Sequence, residues 1–141
     1  MNLNKLLKND TIRKIEPDKK LANEFLELSK KDLKSAEANI KIKQFNWALA
    51  IAYNSMLYAG RAIMTFKGYK TSSDAHHLGV VQFCAAILPE ESSQLASIFN
   101  RYRTRRNDVV YGEAESVGED EAKTAIKNAK KFVSEIEKKF R

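Results

Sequence analysis

Four arginines fall within six residues: Arg101, Arg103, Arg105 and Arg106, with Tyr102 among them and Asn107, Asp108 and Tyr111 following. Lysine is the usual cation elsewhere in the chain. The local switch to arginine points to planar, bidentate recognition of an anion such as phosphate. At about 100° per residue the four do not make one patch. Leu95, Phe99, Tyr102 and Val109 share the side of Arg106, Arg103 flanks it, and Arg101 and Arg105 point outward. Arg106 is thus aimed into the face that packs. The same count on an earlier helical stretch sets Asp32 among Leu21, Phe25, Leu28 and Ala36. A charge directed inward needs a partner or a wet cleft, because an isolated buried charge is costly. Asp32 and Arg106 therefore either brace two helices as an ion pair or open on a cleft in which Arg106 holds an anion.

Other chemistries lack their residues. His76 and His77 are the only histidines; being adjacent, they point about 100° apart on a helix and cannot chelate one metal together. Their plainest placement is near solvent at a helix N-terminus. There is no Glu-x-x-His pair of the di-iron type, no phosphate-cradling glycine loop and no nucleophile elbow. The single cysteine, Cys84, lies in an apolar run and reads as a small buried hydrophobe in a reducing compartment. Neither a metal nor a cofactor is expected.

The elements that must position these residues are helices. A chain of 141 residues with 43% apolar and 30% charged residues has the size and mix of one domain, and five Gly and two Pro are few for an all-β fold. Period 3.6 dominates, giving an all-α antiparallel bundle of about five helices around a four-helix core, with no sheet. Residues 1–16 read as a basic extension or short helix and 17–141 as a single helical domain. Pro17 and Asp18 open the first long helix, which runs to about Lys43. The second, Phe45 to Lys67, is apolar almost all round and so central, with Gly68 as its stop. The third runs from about Asp74 to Leu88 and is ended by Pro89. The fourth spans about Glu90 to Val110 and is closed by Gly112. Ser116 and Glu119 suggest a capping box for the fifth, whose apolar line is Ala122, Ile126, Ala129, Val133, Ile136 and Phe140.

The net charge of +7 is uneven. Residues 1–43 carry 11 basic and 7 acidic side chains, 44–112 carry 7 and 4, and 113–141 balance at 7 and 7. Such a field suits an anionic partner and also serves solubility. The N-terminus has no signal-peptide core, and the longest uncharged stretch, Gln44 to Gly60, is 17 residues and partly polar. A cytoplasmic protein with no membrane segment is expected.

Arg106-Asn107-Asp108-Val109-Val110-Tyr111-Gly112 resembles the signature of HEPN domains, an Arg, often followed by Asn, with a His four to six residues later. Lys31-Asp32-Leu33 with Ala36 is similar to the acidic first helix of that family. The run from Ala52 through Tyr53, Asn54 and Tyr58 to Ala62 is similar to its second helix, His77-Leu78-Gly79 to the start of its third, and Glu121-Ala122 through Val133 to its last. The resemblance spans roughly Leu21 to Phe140. It implies a bundle that forms a homodimer, binding RNA or a nucleotide in a cleft at the dimer interface, in a toxin–antitoxin or defence setting. It also implies two alternatives: an active metal-independent endoribonuclease toxin paired with a minimal nucleotidyltransferase antitoxin that modifies Tyr111, or an interaction bundle without enzymatic activity. Carried over, Arg106 holds the phosphate, Arg103 and Asn107 line the cleft, and Asp32 positions Arg106. Tyr111 stands in the histidine slot. A free tyrosine, with a pKa of about 10, is a donor and a poor base at neutral pH. An imidazole, if one is used, then has to come from His77.

Overall fold

The computed structural model describes residues 2–72, 76–111 and 117–140. Its elements are α1 (Leu3–Lys8), β1 (Ile12–Lys14), α2 (Lys19–Lys41), α3 (Phe45–Lys67), β2 (Tyr69–Thr71), α4 (His76–Ile87), a 3-10 turn (Glu90–Ser92), α5 (Ser93–Tyr111) and α6 (Glu119–Glu137). The all-α class holds. Side-chain pairs set the directions of the four long helices. Phe25 meets Tyr58 and Ser29 meets Ser55, so α2 and α3 are antiparallel. Phe66 stacks on Phe140 and Asn46 bonds Val117, so α6 runs alongside α3 in the same sense. Tyr102 meets Asn128 and Arg105 meets Glu121, so α5 opposes α6. The shorter α4 crosses α3 near Gly60. A Cβ there would collide with Val80 Cγ1, so glycine lets the two helices approach closely.

The expected helix bounds follow local chemistry. Asp18 caps α2 by accepting from the Leu21 amide at 2.9 Å. Gly68 ends α3 in the left-handed conformation at φ 88°. The first helical residue of α6 is Glu119 and its N-cap is Gly118, which makes no side-chain cap bond. Glu119 is therefore not the third residue of a capping box; Ser116, like Gly112 and Asp74, lies outside the described residues. Three acids, Glu119, Asp120 and Glu121, fill the first turn and complement the helix dipole.

Two expectations are corrected. The sheet-free reading misses an antiparallel strand pair, Ile12 to Thr71 and Lys14 to Tyr69, extended by Ile15 donating to the Gly68 carbonyl and Ser72 to that of Thr11. Three-residue strands are too short to show alternation. This pair and α1 give a sixth helix and a small ribbon that tie residues 3–14 to the body, with Leu6 and Ile12 buried in the core. The second correction concerns α2. Its packing line is Ala22, Leu26, Ser29 and Ala36, with Leu33 and Ile40 partly buried, while Leu21 and Leu28 stand 37% and 41% exposed. A serine occupies the core line because Ser29 Oγ donates to the Ser55 carbonyl at 2.6 Å, satisfying its burial. Asp32 consequently sits at the edge of the packed face, not in its middle.

Candidate phosphate site at the meeting of three helices

α5 carries Leu95, Phe99 and Tyr102 into the core, as its apolar spacing requires. Arg106 follows on that side and is half-buried, with Nε sealed from water and, among the described residues, without a hydrogen-bond partner. Its guanidinium carbon lies 5.5 Å from the ring centre of Tyr111, which is 76% exposed, a cation–π distance. The other arginines of the run are engaged. Arg101 sits 5.8 Å over the Tyr102 ring, and Arg103 Nε donates to Asn100 Oδ1 at 3.0 Å. Arg105 makes a two-pronged bond to Glu121 of α6, at 2.7 and 3.0 Å. Arg105 was expected to point outward. It instead faces α6, because the acidic first turn of that helix supplies its partner.

Asp32 and Arg106 are not brought together. Asp32 Oδ2 is buried and, like Arg106 Nε, has no hydrogen-bond partner among the described residues. Burial alone raises the Asp32 pKa, and no arginine acts on it. The ion-pair brace expected between Asp32 and Arg106 is not formed: the packing line of α2 is rotated away from Asp32, which stands at its edge. Asn107 is exposed, one step round α5 from Arg106.

His77, expected near solvent or as the source of an imidazole, is half-buried in the first turn of α4 while its neighbour His76 is exposed. Its Nδ1 lies 3.0 Å from the hydroxyl of Tyr53, a fully buried residue of α3. Burial, then the charges of Arg61 and Arg106, then His76 and Arg103, hold the His77 pKa below the ordinary imidazole range. Burial likewise pushes the Tyr53 hydroxyl up to about 12, opposed by Arg103, Arg106 and Arg61. Three arginines from α3 and α5 thus act on one tyrosine–histidine pair. Two members, Tyr53 and Arg61, were not singled out from sequence. Arg61 was legible: it is the first charge after the uncharged run Gln44 to Gly60 on an otherwise apolar helix, the same signal that marked Arg106. Tyr53 carried no signal separating it from a core aromatic.

Chemically, such a cluster suits an anion: concentrated guanidinium charge attracts phosphate, and a partly desolvated guanidinium binds it more strongly than a solvated one. Among the described residues, no three His, Cys, Asp or Glu side chains gather as a metal site would require. Beside the site, Asn46, Trp47, Val109 and Val110 line a small groove of about 170 Å³. Trp47 and Val110 are 58% and 36% exposed. No helix among the described residues is long and apolar enough to cross a membrane.

The family model of the HEPN domain matches residues 22–139. No curated protein matches the chain. Among solved structures, the crystal structure of TT1696 from Thermus thermophilus is similar, with a TM-score of 0.66 at 20% identity, covering 84% of this chain and 97% of that one. At that identity the likeness speaks for the fold, a helical bundle.

Proposed function

The chain belongs to the HEPN domain family, and from that premise we propose that it binds RNA or nucleotide phosphate at the cluster of Arg61, Arg103, Arg106 and His77, as a homodimer whose two copies meet beside this cluster. Membership supports a nucleotide- or RNA-directed role in general. The observation that carries the specific reading is Arg106 Nε, buried and without a hydrogen-bond partner among the described residues, on a guanidinium whose charge reaches His77 together with those of Arg61 and Arg103. A partly buried cation that meets an aromatic ring but, among the described residues, no counter-charge costs stability unless a ligand supplies one. Support for the dimer is the apolar surface of Trp47, Val110 and Tyr111, which continues from the Arg106 end of α5 and is the kind of patch that marks an association site.

The test is fluorescence anisotropy with a labelled single-stranded RNA. Wild type binds with an affinity that falls as salt rises, because phosphate contacts release counterions. Arg106→Ala weakens binding about tenfold or more, the value of one charge-assisted, partly buried contact. Equal affinity of the two proteins, or no association with wild type, overturns the reading. Sedimentation of wild type against Trp47→Asp tests the dimer.

The placement of His77 favours a second reading, ribonuclease activity with His77 as the imidazole. Cleavage lost in both Arg106→Ala and His77→Ala supports it, and binding without cleavage rejects it. The toxin–antitoxin setting rests on the same family premise. The exposed Tyr111 hydroxyl suits covalent modification by a partner nucleotidyltransferase. A mass increase on Tyr111 after incubation with a nucleotidyltransferase encoded in the neighbouring reading frame checks that point.

A further inference from the structure

We infer that Tyr53 fixes His77 in the tautomer that carries its proton on Nε2, so that the imidazole serves the site as a hydrogen-bond donor to a phosphoryl oxygen, with Arg61, Arg103 and Arg106 around it. The ligand class rests on the phosphate-binding reading above; the wiring of the imidazole does not.

The tautomer follows from counting donors and acceptors. Tyr53 is fully buried, and its hydroxyl has one hydrogen-bond partner among the described residues, His77 Nδ1 at 3.0 Å. A buried phenol O–H has to be given an acceptor. Nδ1 can accept only through its lone pair, which puts the ring proton of a neutral histidine on Nε2. The reverse arrangement, Nδ1–H donating to the tyrosine oxygen, leaves the phenol proton orphaned in the core. Burial keeps the Tyr53 hydroxyl protonated, and burial with the surrounding arginines keeps the free imidazole neutral. Nε2 lies on the far side of the ring from the buried hydroxyl, and the ring as a whole is half-buried.

A neutral imidazole in this state has no lone pair on Nε2. It therefore gives a hydrogen bond and does not take a proton from a ribose hydroxyl, so this wiring and a ribonuclease with His77 as its base are alternatives. Among the described residues, Tyr53 of α3 bonds it, and the charges that act on it are those of Arg61 of α3, Arg103 and Arg106 of α5, and His76 of its own helix, all basic. Tyr53 is the positioning residue and His77 the ligand contact.

The test has two arms. In wild-type protein labelled with nitrogen-15, long-range proton–nitrogen spectra show a pyrrole-like Nε2 and an acceptor-like Nδ1 for His77, and Tyr53→Phe converts this to a mixture of tautomers. A pyrrole-like Nδ1 in wild type overturns the inference whatever the protein binds. For the ligand, 5′-AMP and a 5′-phosphorylated RNA are titrated against wild type, His77→Gln and His77→Leu. The glutamine amide places a donor near the Nε2 position and cannot act as a base. His77→Gln binding within about threefold of wild type, with His77→Leu about tenfold weaker, is the expected result. His77→Gln as weak as His77→Leu while Arg106→Ala still abolishes binding sinks the donor role and leaves the phosphate site standing. If wild type binds neither probe, the phosphate site and the donor role both fail. Thermal unfolding of each variant confirms that the fold is retained.

Discussion

The seam between α5 and α6 and the end where α5 faces α3 and α4 use the same side-chain chemistry to opposite ends. At the seam, Arg105 is clasped by Glu121 and the Tyr102 hydroxyl accepts from Asn128. One residue further along α5, Arg106 is left with a sealed nitrogen that has no hydrogen-bond partner among the described residues. A helix turns by about 100° between neighbours, so two adjacent arginines reach different surroundings, one facing a helix that begins with three acids and the other bonded to no acid among the described residues. The pairing at the seam belongs to the fold. The lack of pairing at the other end is what a ligand can use.

Phe99 lies where the two regions join, fully buried, its ring 4.8 Å from that of Phe132 and 5.8 Å from that of Tyr53. Phe99→Ala opens a cavity shared by both and should show the largest effect on stability, about 3–5 kcal/mol in urea unfolding. A loss under 1 kcal/mol would mean that the two regions are packed independently. Next comes Arg106→Ala, for which the sign matters more than the size. RNA affinity falls about tenfold or more, yet the unfolding midpoint stays level or rises, because an uncompensated cation has been removed. A clear drop in midpoint would place Arg106 with the structural arginines and erase the contrast. Arg105→Ala has the converse profile. Stability falls by about 1 kcal/mol, since the pair is two-pronged but partly exposed, and RNA affinity changes less than twofold. Equal effects of the two substitutions on binding would show a diffuse positive field in place of a defined site.

What was legible in the sequence was whatever a helix decides by itself. The bounds of α3, the stop at Gly68, the core line of α6 and the inward aim of Arg106 all follow from spacing and local caps. What a side chain meets after it leaves its own helix was not. Nothing in its own helix reveals the Glu121 that turns Arg105 toward α6, and a direction round a helix does not name the partner of Asp32 or Arg106. Large residues such as Leu21 and Leu28 suggest one line on α2, whereas the small Ala22 and Ser29 are the buried ones, Ser29 against Ser55 of α3. Tyr53 and His77 are 24 residues apart on different helices, and no periodicity joins them.

The smallest effect concerns the unpaired anion. Asp32 is the acidic counterpart of Arg106: one oxygen buried without a partner, but no opposite charge acting on it and no ligand argument attached to it. Burial raises its folded-state pKa above the unfolded value. The folded protein therefore holds this proton more tightly than the unfolded chain, and stability is lost as pH rises through the interval between the two pKa values. At neutral pH the carboxylate is a net cost, present above that interval and absent below it. Asp32→Asn removes the charge while keeping the shape. It should raise stability at pH 7 by less than about 1 kcal/mol, the carboxylate being partly open to water and screened. The gain should shrink as pH is lowered toward 4, where the wild-type carboxyl takes up its proton. Paired urea titrations across pH 4 to 7 measure the difference. Should Asp32→Asn be destabilising at pH 7, the carboxylate has a cationic partner in solution, and the unpaired groups would no longer divide into a cation kept for a ligand and an anion merely tolerated.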